Sequence, residues 1–154
     1  MSEIIIEKMK PEDIPFVELL EKQLFSDPWS DKGILGTLEQ ATAACFLAKQ
    51  DGKDCGYLLG YWAADECEIA RIGVKKSFRR QGVATALIRA LAQFGFANAC
   101  TGIFLDVRES NHAARCFYKA CGFREEGIRK HFYKDPGESA VLMSCALETS
   151  SVSQ

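Results

Sequence analysis

Apolar residues recur along the chain at two spacings, and the element changes wherever the spacing changes. Ser2–Met9, Ala43–Lys49, Cys55–Ala64, Cys67–Val74, Thr101–Val107, Phe123–Tyr133 and Ala140–Leu147 are short runs bounded by turn formers. They are rich in apolar and β-branched residues and predict strands. Between them, Ile14, Val17, Leu20 and Leu24 lie on one stripe at helical spacing. Val83, Leu87, Leu91 and Phe94, joined by Ala84 and Ile88, do the same. Pro11-Glu12-Asp13 opens the first helix, with proline tolerated in its first turn and acids favoured there. Phe25–Ser30 breaks it, and Ser30 is placed to cap a second helix through about Gln40, weakened by Gly33 and Gly36. Asp51-Gly52 closes a hairpin. Asn111 or Ser110 caps a last helix through about Ala120, which Gly122 stops. Asp135-Pro136-Gly137-Glu138 turns between the closing strands, and Thr149–Gln154 is a polar, frayed tail. The order β-α-α-β-β-β-α-β-α-β-β predicts an α/β (or α+β) single domain over residues 1–148, a mixed sheet covered by helices.

Composition narrows the function. At 154 residues the chain holds one domain with a real core. Its 47% hydrophobic and 26% charged residues are ordinary globular material, and a formal charge of −2 argues against a general nucleic-acid binder. Ile4–Ile6 is a short apolar run flanked by Glu, which is no signal peptide, and nothing approaches membrane-spanning length. The seven cysteines are odd in number, lack a Cys-x-x-Cys, and accompany only two histidines. They read as reduced residues, most of them in the core, of a cytoplasmic protein without a metal site.

Against that background one stretch is anomalous. Arg71, Lys75, Lys76, Arg79 and Arg80 fall within ten positions that contain no acid. They lead into Gly82-Val83-Ala84, where a strand hands over to a helix. A glycine at such a junction lets a ligand approach the backbone, and the N–H groups of the first helical turn attract an anion. The expected ligand is a polyanion. Neither a nucleotide-hydrolysing P-loop nor the three-glycine dinucleotide fingerprint is present.

Arg79-x-x-Gly82-x-Ala84 resembles the acetyl-coenzyme A signature of GCN5-related N-acetyltransferases (GNAT). Val107-Arg108-x-Ser110-Asn111-x-x-Ala114, with Tyr118 and Gly122-Phe123 after it, resembles RimI-type N-terminal alanine acetyltransferases of ribosomal proteins. Asp27-Pro28-Trp29-Ser30, Ile69–Gln81, Arg129–Tyr133, Glu138-Ser139-Ala140 and Met143 are similar to the same group. The resemblance implies the GNAT fold, a central mixed, mostly antiparallel sheet flanked by helices, with acetyl-CoA as cofactor and coenzyme A as product. It implies that Ile72, Gly73 and Val74 present backbone to the pantetheine arm. Arg79, Gln81, Gly82, Val83, Ala84 and Thr85 would wrap the pyrophosphate, and Asn111 and Tyr118 would touch the cofactor from the other side. Tyr118 would be the general acid, and the base would stand twelve residues before it, where this chain has Asp106 in place of the group's Glu. Glu68 is the other base candidate. Asp27, Trp29 and Tyr133 would wall the acceptor groove.

On spacing alone, Tyr118 is a core or edge aromatic, Asn111 a helix cap, and Asp106 a buried carboxylate that pairs with Arg108 or another base. Three functions stay open: acetylation of a protein N-terminus, acetylation of a small amine, and cofactor binding without turnover. The expected partners are acetyl-CoA and an amine, with no nucleic acid or membrane, for a monomer or weak dimer.

Overall fold

The structure, a computed structural model, describes residues 3–134 and 137–147. The expected turn at Asp135-Pro136, the first residues of the first strand and the frayed tail lie in part or whole outside them. The strands are β1 (Ile4–Lys8), β2 (Phe46–Gln50), β3 (Lys53–Ala63), β4 (Glu66–Val74), β5 (Gly102–Arg108), β6 (Arg124–Lys134) and β7 (Gly137–Ala146). The helices are α1 (Ile14–Leu24), α2 (Asp31–Leu38), α3 (Val83–Ala97) and α4 (His112–Ala120). Their order matches the sequence reading. Pro11–Asp13, expected as the first turn of α1, winds more tightly as a 3-10 turn, and α2 stops short of Gln40. Ser30 caps α2 as expected, its Oγ accepting from Gly33 N–H at 3.1 Å.

The strands form one seven-stranded sheet in the order β1-β2-β3-β4-β5-β7-β6. Every neighbouring pair is antiparallel except β4 and β5. Alternation along the strands divides the core between two faces. On one face α3 and α4 pack through Val83, Leu87, Leu91 and Tyr118 against Leu58, Cys67, Ile69, Ile103, Leu105 and Val107. On the other, Val17 and Leu20 of α1 and Ile34 of α2 pack against Leu47, Tyr57 and Leu59. All seven cysteines are free, and Cys45, Cys55, Cys67 and Cys100 are buried; Cys116, against the core expectation, is exposed. Among the described residues, no helix is long and apolar enough to cross a membrane.

Two departures from regularity matter. The register of β3 with β4 shifts between Leu59–Arg71 and Gly60–Ile69, which leaves Ala70 as an extra residue. Such a bulge reverses the alternation beyond it. Cys67 and Ile69 before it, and Ile72 and Val74 after it, therefore share the α3 face, while Glu68 and Arg71 share the opposite one. Secondly, β4 and β5 pair only from Glu66–Gly102 to Ile69–Leu105. Beyond Ile69, β4 continues with β3, and beyond Leu105, β5 continues with β7. The two parallel strands splay apart and leave a slot through the sheet.

Candidate active site

A cavity of about 1230 Å³ occupies that slot and reaches the start of α3. At this end Lys76–Phe78 makes a tight turn, and Arg80 (φ 62°) and Gly82 (φ 88°) both take the left-handed backbone region. Gly82 suits that conformation because it has no Cβ; Arg80 adopts it at a cost in strain. The first helical bond runs from Ala86 N–H to Gly82 C=O at 2.9 Å. The N–H groups of Val83, Ala84 and Thr85 are thereby left for a ligand, at the positive end of a fifteen-residue helix. Arg79, Gly82, Val83, Ala84 and Thr85, expected around a pyrophosphate, line the cavity together with Arg80.

Two expected residues do not line it. Gln81 turns back, its Nε2 donating to Ser77 C=O at 3.5 Å. Gly73 serves packing as well, because a Cβ there would stand 2.6 Å from the Tyr57 hydroxyl. Ile72 and Val74 do line the cavity, on the stretch of β4 that has no β5 partner. That free strand edge offers backbone N–H and C=O groups to an extended, amide-bearing ligand. The five-cation run also divides: Arg71 turns to the opposite face of the sheet, where its guanidinium binds acids.

Tyr118 and Asn111 approach from the α4 side. Tyr118 is buried edge-on against Phe117 and Phe123, and burial pushes its phenol well above the ordinary tyrosine range. Asn111 caps α4, its Oδ1 accepting from Ala114 N–H at 3.1 Å, and also lines the cavity. The two readings of Asn111 are compatible, and so are the two of Tyr118.

The carboxylates lie on the α1–α2 face. Glu68 Oε2 accepts a short hydrogen bond from the Tyr61 hydroxyl, and Oε1 has no partner among the described residues. Burial first, and then Glu68, pushes the Tyr61 phenol up to about 12. Asp106 pairs with Arg129, whose Nε reaches Oδ1 at 2.9 Å, rather than with Arg108. Arg108 instead meets Glu138 at 3.4 Å and lies 4.3 Å over the Tyr133 ring. Glu138 also accepts from Ser110 N–H at 2.5 Å, which anchors the loop carrying Asn111.

The α1–α2 connection walls this side through Phe25, Asp27 and Trp29, and Phe132 and Tyr133 close it from β6. Its anchor is Glu21, fully buried on α1. Glu21 accepts from Arg71 Nε at 3.1 Å, from Trp29 N–H at 2.9 Å and, by a short bond, from the Tyr57 hydroxyl. Arg71 extends the network to Asp27, donating to its C=O at 2.6 Å and to Oδ1 at 3.3 Å, and stacks 3.8 Å over Phe25. Asp27 and Trp29 are thus held at the cavity wall. Sequence reasoning missed Tyr61, Glu21, Arg129 and the role of Arg71. Tyr61 alone had a readable signal, because a hairpin turning at Ala64-Asp65 sets Tyr61 directly opposite Glu68.

Free amide groups, two cations and an unpaired strand edge lie in one slot, and they fit a ligand with a pyrophosphate at one end and an amide-rich arm. The Acetyltransferase (GNAT) family model matches residues 11–123. An uncharacterized N-acetyltransferase of Methanocaldococcus jannaschii is 36% identical over 141 residues, 91% of this chain and 90% of that protein. The ribosomal protein bS18-alanine N-acetyltransferase of Escherichia coli is 28% identical over 141 residues, 90% of this chain and 95% of that one. The crystal structure of the ribosomal-protein-S18-alanine N-acetyltransferase from Escherichia coli superposes with a TM-score of 0.86 at 27% identity, covering 96% of both chains. The chain belongs to the GNAT acetyltransferase family and is an acetyl-CoA-dependent N-acetyltransferase.

Proposed function

We propose that the enzyme acetylates the α-amino group of a protein N-terminus that begins with a small residue, alanine first, in the manner of its RimI-type relatives. The observation that carries this reading is the slot between β4 and β5, open to both faces of the sheet. The donor enters from the α3–α4 face and the amine from the aromatic-walled α1–α2 face, so the two meet without either crossing the other's path. Residues 1–148 act as one acetyltransferase domain, cytoplasmic and a monomer or weak dimer, with no nucleic-acid partner.

Val83, Ala84 and Thr85 N–H, with Arg79 and Arg80, hold the pyrophosphate, and the free edge of β4 holds the arm. Bound acetyl-CoA supplies the thioester carbon. The amine nitrogen forms a bond to that carbon as the carbon–sulfur bond breaks. Glu68 Oε1 takes the proton lost by the amine, and the buried Tyr118 phenol, kept protonated at neutral pH, gives one to the departing sulfur. A backbone N–H on the free edge of β4 steadies the oxyanion. Asp106 is the weaker base candidate, because Arg129 already occupies its carboxylate.

Acceptor chemistry points the same way. An α-amine with a pKa of about 7.7–8.0 is roughly a tenth neutral at pH 7, whereas a lysine amine near 10.4 is well under a thousandth. A base of modest reach suffices for the first. The test is a panel of initial rates with an alanine-initiated peptide, free lysine and spermidine. The peptide is expected to be fastest by about tenfold or more. Faster spermidine turnover would move the assignment to small amines.

A further inference from the structure

We propose that Tyr61 is the positioning residue for the base, fixing Glu68 so that one carboxylate oxygen faces the incoming amine. The inference rests on the reading of Glu68 given above. Tyr61 on β3 and Glu68 on β4 stand directly opposite each other in the antiparallel register. Both line the cavity, and both are part-buried on the α1–α2 face. The Tyr61 hydroxyl donates to Oε2 and leaves Oε1 open.

Glu68 needs such a partner because no cation among the described residues pairs with it. Among the described residues, the other acids of the acceptor side (Glu21, Asp27, Asp106 and Glu138) are each paired with an arginine, and Glu68 is not. A carboxylate tied to a guanidinium is held in place, but it is a poor proton acceptor. A carboxylate held by a neutral phenol is also fixed, and keeps its charge available. Tyr61 is suited to the task because its own ionisation lies far above neutral pH, so it stays a donor throughout the working range. Free rotation of Glu68 would spread Oε1 over several rotamers, and proton transfer depends on its position.

A double-mutant cycle tests this, using the whole chain, an alanine-initiated peptide and acetyl-CoA. Tyr61→Phe keeps the ring and removes only the donor. It is expected to lower kcat about tenfold while peptide KM and acetyl-CoA affinity move less than about twofold. In a Glu68→Gln background the same change is expected to cost less than about twofold, because the group through which Tyr61 acts is gone. A tenfold loss in both backgrounds, or none in the wild type, overturns the role of Tyr61 and leaves Glu68 as the base. Loss of acetyl-CoA affinity in Tyr61→Phe assigns the residue to the scaffold and overturns it too. Wild-type kcat in Glu68→Gln removes the base assignment, and this inference with it.

Discussion

Tyr118 shows how one side chain satisfies two demands. Its ring completes the core between Phe117 and Phe123, and its buried phenol is held neutral. Tyr118→Phe keeps the packing, so it is expected to lower kcat about a hundredfold with acetyl-CoA affinity unchanged by calorimetry. The carboxylates should separate as well. Glu68→Gln is expected to cost about a hundredfold in kcat, and Asp106→Asn less than about tenfold, because Arg129 already neutralises Asp106. A larger loss in Asp106→Asn would exchange their roles. At this scale the placement of a residue at the cavity was legible where a motif names it, as at Tyr118, Asn111 and Gly82. It was not legible where the partner arrives by tertiary structure. Arg129 reaches Asp106 from β6, with β7 between their strands, and no local spacing announces that contact.

Among the elements, the α3 junction was the easiest to read, because its glycine, its cations and the helical stripe all fall within one short stretch. The φ of 88° at Gly82 gives the reason for that glycine, and open space beyond it leaves room for a ligand, with only Ile4 at 4.0 Å from an added Cβ. Gly82→Glu combines backbone strain with a charge facing pyrophosphate. It is expected to abolish acetyl-CoA binding by calorimetry while the variant still unfolds cooperatively. The Ala70 bulge was illegible, since one extra residue leaves no trace in composition and shows only as a reversal of which residues face α3. The ends of the strands were read to within a few residues, as their turns allow. The packing role of Gly73 was hidden for a related reason: its small size answers to Tyr57 on the next strand.

Across the whole molecule, the acceptor wall depends on a pair fifty residues apart in sequence. Glu21 is fully buried and Arg71 partly so, and together they join α1, β4 and the α1–α2 loop. Removing one partner strands a buried charge. Arg71→Ala is expected to cost about 3 kcal/mol in urea unfolding and to raise the peptide KM, with acetyl-CoA affinity little changed. The double change Glu21→Gln with Arg71→Met should recover most of the stability without restoring the KM. Such a pair cannot be read from the sequence, where Glu21 sits in an amphipathic helix and Arg71 in a basic run, each with a solvated neighbour to explain it. The slot between β4 and β5 is the proposed meeting place of a thioester and an α-amine. One peptide decides that most directly: alanine-initiated, with a free amino terminus and one internal lysine, incubated with acetyl-CoA and mapped by fragment mass spectrometry. A single acetyl group on the terminal alanine is expected. An acetyl group on the lysine side chain, with the terminus left free, would contradict it.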